Sequence, residues 1–241
     1  MSRLTKRLFG ATAHAKAHEE GEEHWISVSD LMAGLMMVFL FISIALMRSA
    51  FMERDKIIEV AITYQKNQVA LYNALMQAFH DDLQRWAAEI EQATLSFQFK
   101  SPDVLFDTGQ ITLKPAFQAI LNDFFPRYLN VLTQFRDSID EVRIEGHTSS
   151  LWNQRSTPDE AYFNNMELSQ GRTRAVLEYV YTLHPVAVER PWIKKHLAAV
   201  GFSSSRLIQN PNGVENVERS RRVSFRVMTN AETQIRKILE R

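Results

Sequence analysis

Residues 26–47 read ISVSDLMAGLMMVFLFISIALM, and the architecture of the chain turns on them. About twenty predominantly apolar residues make an α-helix long enough to cross a hydrocarbon core roughly 30 Å thick, so one membrane-spanning helix is predicted. A single acid, Asp30, lies just inside it. A carboxylate in such a span costs at least about 2.5–3.5 kcal/mol on insertion scales, so it is expected to be protonated, paired or turned toward a wet protein interior, and its default reading is functional. A plainer reading competes. Ser29 or Asp30 could cap a helix that starts at Leu31, since both residue types accept hydrogen bonds from the free N–H groups of a first turn. That would leave about seventeen residues, the lower limit for crossing. Trp25 suits the membrane interface, and Gly34, one helical turn beyond Asp30 on the same face, admits a close neighbouring helix. Both favour an aspartate aimed at protein.

Working outward, the 241 residues are 45% hydrophobic, which leaves room for one extramembrane domain of ordinary size beside the span. Lys and Arg number 28 against 28 Asp and Glu, so no global field points to nucleic acid and no such partner is expected. The chain has no cysteine, which excludes a disulfide framework and thiolate chemistry and agrees with an oxidising compartment. The apolar stretch is longer than a signal-peptide core and carries an acid, so it reads as an uncleaved anchor. Flanking charge leaves orientation open, because Arg3, Lys6, Arg7 and Lys16 precede the span while Arg48, Arg54, Lys56 and Lys66 follow it. None of the seven histidines has metal-ligand spacing such as HExxH, and His147 reads as a turn residue. Ser149 and Ser150 beside it lack a GxSxG elbow, so neither an enzyme, a metal nor a cofactor is expected.

Four parts follow from the pattern. Residues 1–24 form a polar arm ending in an acidic run, and 25–47 form the membrane helix. Residues 48–92 contain no proline or glycine and read as a long linker helix. In its second half Leu75, Phe79, Leu83, Trp86 and Ile90 recur at steps of three and four, the spacing of a parallel coiled coil or of a packing stripe. Residues 93–241 read as an α/β domain. LSFQFKSPDVLF alternates and turns at Ser101 and Pro102; a helix is predicted from Lys114 to about Phe135, kinked or ended in part by Pro126. EVRIEGHT reads as a strand, Glu167–Leu183 as a helix closed by Pro185, and HLAAVGF and RRVSFRVM as two more strands. Strands separated by helices predict a mixed sheet with helices on one face. Arg219, Arg221 and Arg222 read as the solvated side of the last strand.

Two sets of motifs carry a resemblance. IEGHTSS at 144–150, NMELSQGR at 165–172 and RSRRVSFRV near the C-terminus resemble, in order, the GHTD, NxxLSxxRA and NRRVE segments of the OmpA-like peptidoglycan-binding domain. WISVSDLMAGLMMVFL resembles the membrane signature of MotB-type proteins, in which an aspartate opens a Met-rich and Phe-rich helix. Together they resemble the MotB-type stator subunits of ion-driven motors, and among these the membrane motor subunits of Zorya anti-phage defence systems. The resemblance implies a cytoplasmic N-terminus, a single inner-membrane pass and a periplasmic domain that grips the cell wall. It further implies a homodimer inside a ring of five MotA- or ZorA-like polytopic subunits, with each Asp30 taking and releasing a proton as ions pass between the subunits. A flagellar stator and a static membrane-to-wall tether remain the alternatives.

For the wall-binding site the resemblance implies Thr148, Asn165, Leu168 and Arg172. The last three fall at helical spacings of three and four and so share a face. Arg172 could hold a stem-peptide carboxylate through a forked pair of hydrogen bonds; the plainer reading makes Leu168 core and Arg172 surface. One departure stands out. Ser149 occupies the position where the family has the aspartate of GHTD, poised to accept a ligand ammonium, and a neutral hydroxyl replaces that charge. The 150–163 segment, with Asp159 and Glu160, is a candidate source of a substitute acid.

Overall fold

The computed structural model describes residues 8–100 and 105–230, with side chains from Val28 onward. The interfacial role expected of Trp25, the contacts of the acidic arm and the turn expected at Ser101 and Pro102 lie outside the described residues. The chain forms two units, Met1–Ile58 and Glu59–Arg241.

The described residues of the first unit are helical. Helix α1 (Leu8–Arg85) runs without interruption through residues 26–47, so Ser29 and Asp30 lie inside the helix and are not its caps. Among the described residues it is the one helix long and apolar enough to cross a membrane. Leu31, Met36, Val38, Phe41 and Leu46 are all exposed within this chain, as apolar side chains meant for lipid or for another protein would be. Nothing lies within 4 Å of a Cβ built on Gly34, so the face it shares with Asp30 is open.

The second unit is an α/β domain built on a five-stranded mixed sheet. Its strands are β1 (Ala88–Glu91), β2 (Ser96–Phe99), β3 (Ile139–His147), β4 (Leu197–Gly201) and β5 (Arg222–Thr229), in the order β1-β2-β5-β3-β4. Only β3 and β4 pair in parallel; the other neighbours are antiparallel. Helix α2 (Pro115–Thr133) carries a proline at its first turn and passes through Pro126 unbroken. Helix α3 (Pro158–Thr182) begins nine residues earlier than the sequence suggests. Its start is a capping box: Thr157 Oγ1 accepts from the Glu160 amide at 3.3 Å, and Glu160 accepts from the Thr157 amide at 2.9 Å. Two short helices, α4 (Arg190–His196) and α5 (Val217–Ser220), precede β4 and β5.

The linker differs from expectation in a way that changes its role. Helix α1 stops at Arg85, and 88–91 leave it as an edge strand; Ala87, at φ 48°, makes the corner. The apolar stripe faces inward. Leu71, Leu75 and Phe79 are fully or almost fully buried in the core of the same domain, with Trp86 beside them. The Phe79 ring lies 5.3 Å from those of Phe97 and Phe124, and Phe97 is 4.6 Å from Phe124. Each such side chain gains about 1.5–3 kcal/mol from burial, far more than an exposed two-heptad pairing could recover after uncovering it. The coiled coil expected through Leu75, Phe79, Leu83, Trp86 and Ile90 is therefore replaced by packing within the domain, with Leu83 and Ile90 at the margin of the core.

Candidate functional site

Alternation along β3 sends Ile144 and Gly146 toward α3. A Cβ on Gly146 would come within 2.8 Å of the Ser169 carbonyl oxygen and of Thr173 Cγ2, so only glycine lets strand and helix meet this closely. That approach fixes α3 against the end of β3. Asn165, Ser169, Thr173, Val176 and Val180 form its buried side. The last residues of β3 and the first turns of α3 then converge on one cleft.

The cleft has a volume of about 300 Å³ and is lined by Thr148 and Ser149 after β3, by Asn165, Leu168 and Arg172 on α3, and by Arg221 just before β5. Phe106, Thr108, Gly109, Leu151 and Trp152 also line it. Gly109, at φ 70°, makes the tight turn in which the Gln110 amide donates to the Asp107 carbonyl at 3.0 Å. All four residues singled out in the sequence are thus brought together.

Their roles within the chain differ. Asn165 is buried, and its Nδ2 donates to the carbonyls of Ser149 and Leu151, each at 3.2 Å, so it fixes the loop that forms the floor. Thr148 is anchored by its amide, which donates to the Ser203 carbonyl at 2.9 Å, while its buried Oγ1 has no partner among the described residues. Leu168 is half-buried and lines the cleft instead of joining the core. Arg172 donates from Nε to the Gln110 carbonyl at 2.9 Å and from Nη2 to the Asp107 carbonyl at 3.1 Å, with its Cζ 4.8 Å from the Phe106 ring centre. Burial, with Arg221 adding repulsion, pushes its pKa down to about 10. It remains charged at neutral pH.

No carboxylate lines the cleft among the described residues. Asp159 and Glu160 sit in the first turn of α3, where Glu160 completes the capping box, and neither lines the cleft. The acid that meets this loop is Glu215, which accepts from the Ser150 amide at 3.1 Å and from the Ser150 hydroxyl. Sequence reasoning missed Glu215 and Arg221. Of the three arginines expected on a solvated strand face, Arg219 lies in α5 and Arg221 lines the cleft, because a helical turn precedes the strand.

Arg222 is the third, and it faces a second cluster on the opposite side of the sheet. Glu145 and His147 are buried there, Nε2 to Oε2 at 3.5 Å, with Arg206 at 3.5 Å and Arg226 at 3.9 Å from the other carboxylate oxygen. His147 stacks on Phe202 at 5.3 Å, and Arg206 covers the Phe202 ring at 3.6 Å. Burial pushes the Glu145 carboxyl up, but His147, Arg226 and Arg206 outweigh it and hold it below the usual range. Burial pushes His147 down; Arg222 and Arg206 add to this against the pull of Glu145. Far from being a simple turn residue, His147 is a buried, packed member of the strand end.

Residues 105–221 match the OmpA family. The Zorya protein ZorB of Escherichia coli is 57% identical over 222 residues, covering 92% of this chain and 94% of that protein. Among solved structures, a MotB-like protein from Desulfovibrio vulgaris is similar with a TM-score of 0.49 and 20% identity, over 73% of this chain and 94% of its own. The periplasmic domain of Helicobacter pylori MotB is similar with a TM-score of 0.40 and 14% identity, over 60% and 83%.

Proposed function

The chain belongs to the family of the Zorya protein ZorB, and from that premise we propose that it is the peptidoglycan-anchored, stator-type subunit of an ion-driven inner-membrane motor acting in anti-phage defence. Its N-terminus is cytoplasmic and its α/β domain periplasmic in this reading. Asp30 is the ion carrier: an acid in an apolar helix, beside the open face of Gly34, can alternate between a shielded and a hydrated setting as a partner moves past it. Two copies stand within a ring of five ZorA-like polytopic subunits, which cover the exposed apolar side chains of 31–47 together with lipid.

The observation that carries the anchoring half is the convergence of Thr148, Asn165, Leu168 and Arg172 on one cleft. A guanidinium held by two backbone carbonyls is pre-aimed, and a carboxylate meeting it forms a charge-assisted contact worth about 1.5–3 kcal/mol. Arg172→Ala is therefore expected to weaken sedimentation of the purified full chain with cell-wall sacculi by at least about tenfold. Unchanged sedimentation of that variant, or a wild-type chain that stays in the supernatant at low and moderate salt, would refute anchoring through this cleft.

A further inference from the structure

Large apolar side chains standing singly on a surface are ordinary. Leu151 and Trp152 do not stand singly: they are adjacent, 66% and 39% exposed, and both line the cleft that holds Arg172. The loop that carries them is pinned along its length. Asn165 Nδ2 donates to the carbonyls of Ser149 and Leu151, each at 3.2 Å, and Glu215 accepts from the amide and hydroxyl of Ser150. Beyond Trp152, Asn153 Oδ1 accepts from the amides of Arg155 and Ser156 at 2.9 and 3.0 Å and from the Ser156 hydroxyl at 2.9 Å, and the capping box holds Thr157. The Glu215 contact also ties this loop to the turn closed by the Gln209–Glu215 bridge, and Val217 after that turn lines the same cleft. An indole carried by a loop so held meets a ligand with little further ordering of the backbone.

The face of an indole is rich in π-electron density and takes a flat apolar surface whose edge bears polar groups. A pyranose ring is such a surface: C–H groups point from its face, while hydroxyls and an acetamide radiate from its rim. The cleft supplies partners for that rim in the hydroxyls of Thr108 and Ser149, and in Thr148 Oγ1, which is buried and has no partner among the described residues. An apolar peptide side chain would leave these hydroxyls unsatisfied, and a cation on the indole would meet repulsion from Arg172 and Arg221. Resting on the peptidoglycan reading above, we infer that Leu151 and Trp152 form a sugar-stacking subsite of the cleft, which takes an N-acetylated amino sugar of the glycan strand beside the stem peptide. The cleft then reads the junction of strand and stem. It prefers a peptide still joined to its glycan over one released from it, so the anchor favours wall material over free peptide.

The test is calorimetric titration of the full-length chain in lipid nanodiscs with a free stem peptide and with the same peptide carried on its disaccharide. In the wild-type chain the disaccharide is expected to strengthen binding by about fivefold, the scale of one stacked ring. In Trp152→Ala that gain should fall below about twofold while Kd for the free peptide stays unchanged, which also shows that the variant is folded. Trp152→Phe, which keeps a ring, should retain a gain above about twofold, and it carries the comparison should the alanine variant fail to bind free peptide. A wild-type chain that binds both forms equally, or a Trp152→Ala chain that keeps the full gain, overturns the sugar subsite while leaving wall binding intact. If Trp152→Ala and Trp152→Phe weaken both forms alike, the ring lies on the peptide and the inference is likewise overturned. Failure of the wild-type chain to bind either form overturns both readings.

Discussion

Replacing Phe79 by alanine tests whether the end of α1 belongs to the α/β domain or is only its leash. The ring is fully buried, touches Phe97 and Phe124 at 5.3 Å and Trp86 at 6.1 Å, and carries the Arg127 guanidinium 4.7 Å from its centre. Core Phe→Ala changes cost about 3–5 kcal/mol. In a unit of this size each kcal/mol moves Tm by about 2–4 °C, so the midpoint should fall by roughly 6–20 °C. The assay is thermal unfolding of residues 59–241, the compact unit, followed by circular dichroism. By the same reasoning a fragment starting at residue 93 lacks β1 and the side chains of Leu71, Leu75, Phe79 and Trp86, and is expected not to fold cooperatively. A Phe79→Ala shift below about 3 °C, or a well-folded fragment from 93, would refute the packing.

Single cysteines, in a chain that has none, should crosslink two copies at Ile62 and Val69, which are exposed apolar positions on α1, and not at Leu75 or Phe79, which the domain buries; efficient crosslinking at Leu75 in membranes would put the stripe back between chains. Acid should weaken the 59–241 unit in two stages. The folded His147 has a depressed pKa, so below the unfolded value of about 6.5 the unfolded chain binds more protons and stability falls. The contribution of Glu145, also depressed, is present above its unfolded value near 4.5 and is lost as pH falls through the lower folded value. Urea titrations across pH 3.5–7.5 should therefore show His147→Gln flattening the upper stage and, because His147 helps hold Glu145 down, shrinking the lower one; an unchanged upper slope would remove His147 as the cause.

Much of this was legible in the sequence for definite reasons. The membrane span shows itself by length, and β3, β5 and α2 by period, because apolar residues recur along one side of each. The end of α1 was not, since Leu75, Phe79, Leu83 and Trp86 have the spacing of a coiled coil and of a core-facing helix alike, and only the aromatic rings of β2 and α2 decide between them. Strand β1 is four residues long and follows a left-handed alanine, a corner no propensity suggests. The motif residues of the cleft were readable through the resemblance of IEGHTSS and NMELSQGR to the OmpA-like segments, and the spacing added only that three of them share a helix face. Arg221 was hidden by the alternation of RRVSFRV, which continues a strand pattern across a helical turn, and Glu215 by a contact 65 residues away along the chain.

The motor reading rests on Asp30, and one substitution addresses it. Asp30→Asn keeps the shape of the side chain and removes its ability to cycle a proton. Cells carrying the variant with its polytopic partner are challenged with phage, while copurification and membrane fractionation confirm that the variant is inserted and assembled. Loss of protection with insertion and assembly intact is the expected result. Full protection by a correctly assembled Asp30→Asn variant would contradict ion carriage at this position and leave a static tether between membrane and wall.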